Sequence, residues 1–260
     1  MSLLQVSDVG IAFGGVRALV DVSFAVAAGE IFALIGPNGA GKTTLFNIVS
    51  GVYRAGSGRI ALAGEDVTGL EPNRLAARGL SRTFQNLQIF PQMTAVENVM
   101  VGRHLKESRS FLRHLFGLAG PDNRASRAHA LAALAEVGLA GHADAMAGAL
   151  SYGAAKRLEI ARALATEPRI LLLDEPAAGC NPVETEEIEA VIREIAAAGV
   201  TIVLVEHDMK LVMRLSHRIH VLAQGRTLAS GTPDEVRHHP AVIEAYLGAH
   251  GTTEAARGRA

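Results

Sequence analysis

Residues Gly36-Pro37-Asn38-Gly39-Ala40-Gly41-Lys42-Thr43 satisfy the pattern G-x-x-x-x-G-K-[ST], between the apolar run "IFALI" and a helical stretch that starts near Gly41. No other feature constrains the fold as tightly. A short buried strand delivers the loop, its glycines let backbone N–H groups turn inward around phosphate oxygens, and the helix start adds partial positive charge. Lys42 can then reach the terminal phosphates as a point charge, and the Thr43 hydroxyl can ligate magnesium. Thr44 completes the quoted loop "GPNGAGKTT".

Around this loop the chain alternates in character. Residues 3 to 35 are strand-rich, with Val20, Val22, Phe24 and Val26 predicted on one face of a strand. "GSGRIALAGEDV" offers a glycine-bounded strand or hairpin and "GLSRTF" another strand. From about Asn86 to Thr166 the pattern turns helical, opening on a capping box at Thr94 and Glu97. "RILLLDE" and "VTIVLVEHD" follow as strands, separated by a helix with Asn181 at its N-cap, Pro182 in its first turn and Glu184 at its third position. Strand, helix, strand implies a parallel sheet. The expected architecture is α/β: a P-loop NTPase core with a parallel sheet, an N-terminal antiparallel β subdomain and a helical subdomain inserted at about 86–166. One ATP-binding domain is expected over 1–248, with a frayed tail at 249–260 and Met209 and Met213 in the core.

Hydrolysis of a nucleotide needs acids as well as a cradle. The strand "ILLLDE" ends in Asp174, suited to hold magnesium through water, and Glu175, suited to orient or deprotonate the attacking water. His207 ends another strand and suits a contact to the γ-phosphate. Gln85 ends a third, where its amide could meet metal or water. "LSYGAAKRLEIARALA", residues 150–165, reads as a second helix with an anion-holding mouth, having Ser151 at its start and Gly153 just inside.

Composition excludes some classes of partner. The 25 Lys plus Arg nearly balance 26 Asp plus Glu, so no global field favours nucleic acid. The single cysteine, Cys180, cannot form an internal disulfide. The start "MSLLQVSDVG" does not read as a signal peptide, and the longest apolar runs fall far short of the ~18 residues of a spanning helix. A cytoplasmic protein is expected. Residues 103–129 carry six Lys or Arg against Glu107 and Asp122, and read as a solvated loop and helix face.

With Gln85, "LSYG", "LLLDEP" and His207 in order after the phosphate loop, the chain resembles the nucleotide-binding subunits of ABC transporters over nearly its whole length. The resemblance implies ATP and Mg2+ as ligands and two subunits that sandwich two ATP molecules head to tail. Ser151 and Gly153 then form the signature that caps the γ-phosphate of ATP bound to the other subunit's loop. It further implies Phe13 as the aromatic that stacks on adenine, and Gln85 as the coupling-loop glutamine, a metal ligand with Thr43 and Asp174. Glu175 becomes the catalytic base and His207 the switch histidine. Three positions depart from the family pattern: Tyr152 and Ala154 lie where glycine and glutamine are usual, and Asn181 where many members have aspartate.

More narrowly, "RTFQNLQIFPQMTAVENVMVG", "RLEIARAL" and "EHDMKLVM" are similar to the longer ATPase subunit of branched-chain amino acid importers. The partners so implied are a second ATPase subunit, identical or paralogous, transmembrane permease subunits and indirectly a solute-binding protein. The chain itself would lie on the inner face of the membrane. The competing readings are a soluble ATPase of the same superfamily acting in repair or translation, and a regulatory module that binds ATP but scarcely hydrolyses it.

Overall fold

The structure, a computed structural model, describes residues 2–103 and 120–246. Most of the basic segment 103–129 and all of the expected tail 249–260 lie outside them. The chain divides into two compact units, one formed by residues up to Leu75 with those from Gly199 onward, the other by Ala76–Ala198. The second unit contains the stretch 86–166 and extends beyond it on both sides.

In the first unit, β1 (Ser2–Phe13), β2 (Val16–Ala27), β4 (Ser57–Leu62) and β5 (Glu65–Asp66) form an antiparallel sheet in the order β2-β1-β4-β5. The alternation expected in β2 is broken. Asp21 takes φ 51°, and β1 has a similar irregularity at Asp8, whose N–H and carboxylate both bond the Ser23 hydroxyl (2.8 and 2.9 Å). The bulge shifts the phase, so Leu19, Val22 and Val26 are buried while Val20 and Phe24 are half-buried. A second group of strands contains β3 (Ile31–Ile35), β8 (Thr201–Val205), β9 (Arg218–Ala223) and β10 (Arg226–Gly231). β3 runs parallel to both β8 and β9, and β10 pairs antiparallel with β9. Every residue of β3 and β8 is buried, as continuous apolar runs in parallel strands require. Helix α1 (Lys42–Val49) follows β3, and α2 (Pro72–Ala76) lies at the end of this segment.

In the second unit β6 (Leu80–Arg82) pairs in parallel with β7 (Ile170–Asp174). Helix α3 (Ala95–Gly102) opens on the expected capping box of Thr94 and Glu97, and α4 (Gly120–Glu136) and α5 (Tyr152–Leu164) pack with it. Asn181 and Glu184 form the capping box of α6 (Pro182–Ala197), with Pro in its first turn. Back in the first unit, α7 (Met209–Leu215) is capped by Asp208 and α8 (Pro233–Arg237) by Thr232. A final helical stretch covers 240–246.

Candidate functional site

The phosphate loop is fixed by its backbone. Gly36 takes φ 151°, and a Cβ built there would lie 2.1 Å from the carbonyl oxygen of Leu222. Gly41, at φ 101°, caps α1, whose start has neither a side-chain cap nor an acid in its first turn. A helix start with neither a capping side chain nor an acid suits a phosphate. Lys42 is buried, its ammonium donating to the carbonyls of Gly36 (2.6 Å) and Pro37 (3.1 Å). Asn38, Gly39 and Thr43 are exposed, Thr44 is half-buried, and Ala40 is held by the Gly225 N–H at 3.0 Å.

Phe13 closes β1 with 47% of its surface exposed, and meets Tyr53 edge-on at 5.6 Å between ring centroids. Tyr53 stands in the turn after α1, outside any motif. His207 is exposed beyond β8, its backbone N–H donating to the Glu206 carboxylate at 3.0 Å. Met209 and Met213 are half-buried rather than core. With Val236, Val242, Ile243 and Tyr246 they line an open cavity of about 420 Å³. Burial pushes the Tyr246 phenol up to about 12, and the Gly36 backbone is its hydrogen-bond partner. This contact between the last helical stretch and the first residue of the phosphate loop has no signal in sequence.

In the second unit β7 delivers Asp174, buried, to a 2.7 Å ion pair with the half-buried Arg82, while the Asp174 N–H donates to the Thr83 hydroxyl at 3.3 Å. Glu175 follows with φ 50°, an uncommon conformation for a residue with a side chain. The Gln85 amide donates to its carboxylate at 3.1 Å. Gln85 is not on the strand. β6 ends at Arg82, and the Phe84 N–H leaves the strand direction to donate to Glu159 on α5 at 3.3 Å.

Helix α5 holds the rest of that loop with residues spaced three apart. Lys156 donates to the Gln85 carbonyl at 3.2 Å, and the Arg162 guanidinium lies 5.7 Å from the centre of the Phe90 ring. Burial raises the Glu159 carboxyl above the usual range and lowers Arg162. From the other side, fully buried Asn98 accepts from the Phe90 N–H (2.7 Å) and donates to its carbonyl (3.0 Å). The rings of Phe84 and Phe90 remain substantially exposed.

Ser151 is the N-cap of α5, accepting from the Ala154 N–H at 3.2 Å. The Gly153 N–H donates to the Glu184 carboxylate at 3.0 Å. Tyr152 packs against the loop after β7, where a Cβ on Gly179 would lie 3.1 Å from its ring. Thus the structure joins Gln85 to Glu175, which follows Asp174 at the end of β7. Arg82, Lys156, Glu159 and Glu184 act around them; only a charged residue within an apolar strand or helix face hinted at the first three.

The chain is similar to known proteins. The family described as ABC transporter matches residues 19–178, and one described as branched-chain amino acid ATP-binding cassette transporter matches residues 226–252. The chain is 46% identical over 249 residues, 95% of its length and 98% of the relative's, to the high-affinity branched-chain amino acid transport ATP-binding protein BraF of Pseudomonas aeruginosa. A nucleotide-free ATP-binding cassette from an ABC transporter superposes with TM-score 0.84 at 32% identity, over 95% of this chain and 99% of that one. A dimeric cassette in a post-hydrolysis state bound to ADP and Pi superposes with TM-score 0.72 at 25% identity, over 88% and 98%.

Proposed function

The chain belongs to the ABC transporter family, and from that premise we propose that it energises import of branched-chain amino acids through separate membrane subunits. It is an ATPase coupled to transport. The match of residues 226–252 to a branched-chain amino acid cassette family supports this cargo over a role in repair or translation. Among the described residues no helix is long and apolar enough to cross a membrane, which agrees with a separate permease. The exposed rings of Phe84 and Phe90, held at their backbones by Glu159 and Asn98, offer such a partner apolar contacts.

Two copies of the chain, or the chain and a paralogue, would close on ATP at the inner membrane face. Lys42 and the loop Gly36–Thr44 bind the phosphates and Phe13 the adenine, while Ser151 and Gly153 cap the γ-phosphate of the partner's nucleotide. Thr43, Gln85 and Asp174 offer oxygen donors suited to magnesium, which when bound neutralises phosphate charge. His207 contacts the γ-phosphate in this reading. Glu175 accepts the proton of the attacking water, and Gln85 orients its carboxylate.

The observation that carries the hydrolytic reading is Glu175 itself: a carboxylate on a strained backbone at the end of a buried strand, hydrogen-bonded by Gln85. Glu175→Gln keeps shape and hydrogen bonding but removes the base. Hydrolysis should fall by about 10²–10⁴-fold while ATP binding survives, and the protein should accumulate as an ATP-dependent dimer. Turnover in the membrane complex and light scattering on gel filtration measure both. Hydrolysis at the parent rate would remove Glu175 from the mechanism, and uptake assays with leucine, isoleucine and valine test the cargo.

A further inference from the structure

The mouth of α5 carries a carboxylate belonging to its own chain. One oxygen of Glu184 accepts the Gly153 N–H at 3.0 Å, while the other accepts the Asn181 N–H at 3.1 Å in the capping box of α6. The Ser151 side chain also helps to hold the Glu184 carboxyl below its usual range. The fit is close, because a Cβ on Gly153 would fall 2.5–2.7 Å from the Glu184 Cβ, Cγ and carboxyl carbon. Backbone bonds from Asn181 and Gly153 hold this carboxyl below the usual range, so it is ionised at neutral pH.

These are the two donors, Ser151 and Gly153, that the proposed function assigns to the γ-phosphate of the partner's ATP. One helix mouth cannot give the same N–H to two anions, and two anions held at contact repel each other. We propose that Glu184 is a displaceable stand-in for the γ-phosphate: it occupies the signature donors of the separate subunit and must swing away before the ATP dimer can close. Closure then has a threshold set by this internal competitor. When hydrolysis and loss of phosphate empty the mouth, Glu184 returns to Ser151 and Gly153 and favours reopening. The side chain can leave without unfolding α6, because it is one residue of a cap whose other half, the Asn181 side chain accepting from the Glu184 N–H at 3.0 Å, stays in place. The same reasoning explains the close approach at Gly153: any side chain there would meet Glu184 before it met a nucleotide.

This inference rests on the dimer reading, so its test is built on Glu175→Gln. In that background, Glu184→Gln retains an acceptor for the Asn181 amide but removes the charge that strengthens the hold on Gly153. Mg-ATP is titrated with light scattering as the readout of dimer, alongside ATP affinity of the dilute monomer. The ATP concentration for half-dimerisation should fall about five- to tenfold in the double variant, with monomer affinity unchanged, because a charge-assisted hydrogen bond gives way to a neutral one. After chelation of magnesium the double variant should also dissociate more slowly. An unchanged or raised ATP requirement would overturn the proposal while leaving the dimer reading intact. If Glu175→Gln alone forms no dimer with Mg-ATP, the functional reading fails and the stand-in role of Glu184 fails with it.

Discussion

The phosphate loop and the segment 83–90 are both irregular stretches that follow a strand, yet they are held by different means. The first is shaped by main chain: Gly36 and Gly41 sit at positive φ, Lys42 bonds two carbonyls of its own loop, and no side chain caps α1. The second is shaped by side chains reaching in from helices, with Lys156, Glu159 and Arg162 on one side and Asn98 on the other. A loop built from its own backbone leaves its N–H groups for a ligand. A loop clamped by side chains presents its own rings and its glutamine instead. The contrast recurs at the two helix mouths: α1 has no side-chain cap, whereas α5 is capped by Ser151 and Glu184.

The sharpest way to break the comparison is to add a methyl group to the backbone-built loop. Gly36→Ala should cost more than about 3 kcal/mol, since the new Cβ meets a carbonyl oxygen of β9 rather than a flexible side-chain end, and φ 151° disfavours it further. ATP binding should be lost with it. Urea denaturation and a nucleotide titration check the two effects, and a stable variant with parent affinity would show that the main chain does not set this loop.

Next in size is the side-chain clamp. Asn98→Ala removes a fully buried side chain and the acceptor of the Phe90 N–H, while the Phe90 carbonyl keeps the Met93 N–H, which should destabilise the protein by about 1–3 kcal/mol. Phosphate-loop affinity, measured by the same titration below the melting temperature, should be unchanged. A stability loss below about 0.5 kcal/mol would mean that Phe90 is held by something other than Asn98.

The same division decides how much could be read from sequence. Main-chain construction leaves glycines at fixed spacing, so the loop at 36–44, its flanking strand and its helix were all legible, as were the caps at Thr94 and Asn181, which are local by nature. Asp174 and Glu175 were legible as acids at the end of an apolar run. Clamps were not. Asn98 lies eight residues from Phe90, and Glu159 lies 75 from Phe84; no spacing rule joins them. Glu184 was legible as a cap but not as a carboxylate in the mouth of α5, because that contact spans 31 residues. The bulge at Asp21 defeated strict alternation in β2, and the exposure of Met209 and Met213 depends on how the stretch 240–246 packs.

The smallest expected effect lies behind the phosphate loop, in a buried side chain of the backbone-built unit. His220 on β9 is buried beside the stacked rings of Phe24 and Phe32, with Arg218 nearby and its Nε2 bonded to Thr227 at 3.1 Å. Burial, helped by the Arg218 charge, lowers its pKa from 6.5 to about 4. The folded protein therefore holds this imidazole neutral, whereas the unfolded chain takes up a proton as pH falls through 6.5. Stability from this residue is complete above 6.5 and is lost progressively as pH falls from there toward 4. Between pH 7.5 and 5.5 the loss should be about 1 kcal/mol. His220→Gln, which can still bond Thr227 but does not titrate, should flatten that part of the stability profile whatever its effect at pH 7.5. Denaturation at the two pH values decides it: an unaltered slope would assign the acid sensitivity to a group other than His220, and not to Glu159, because a carboxyl raised by burial makes the folded protein gain stability on acidification.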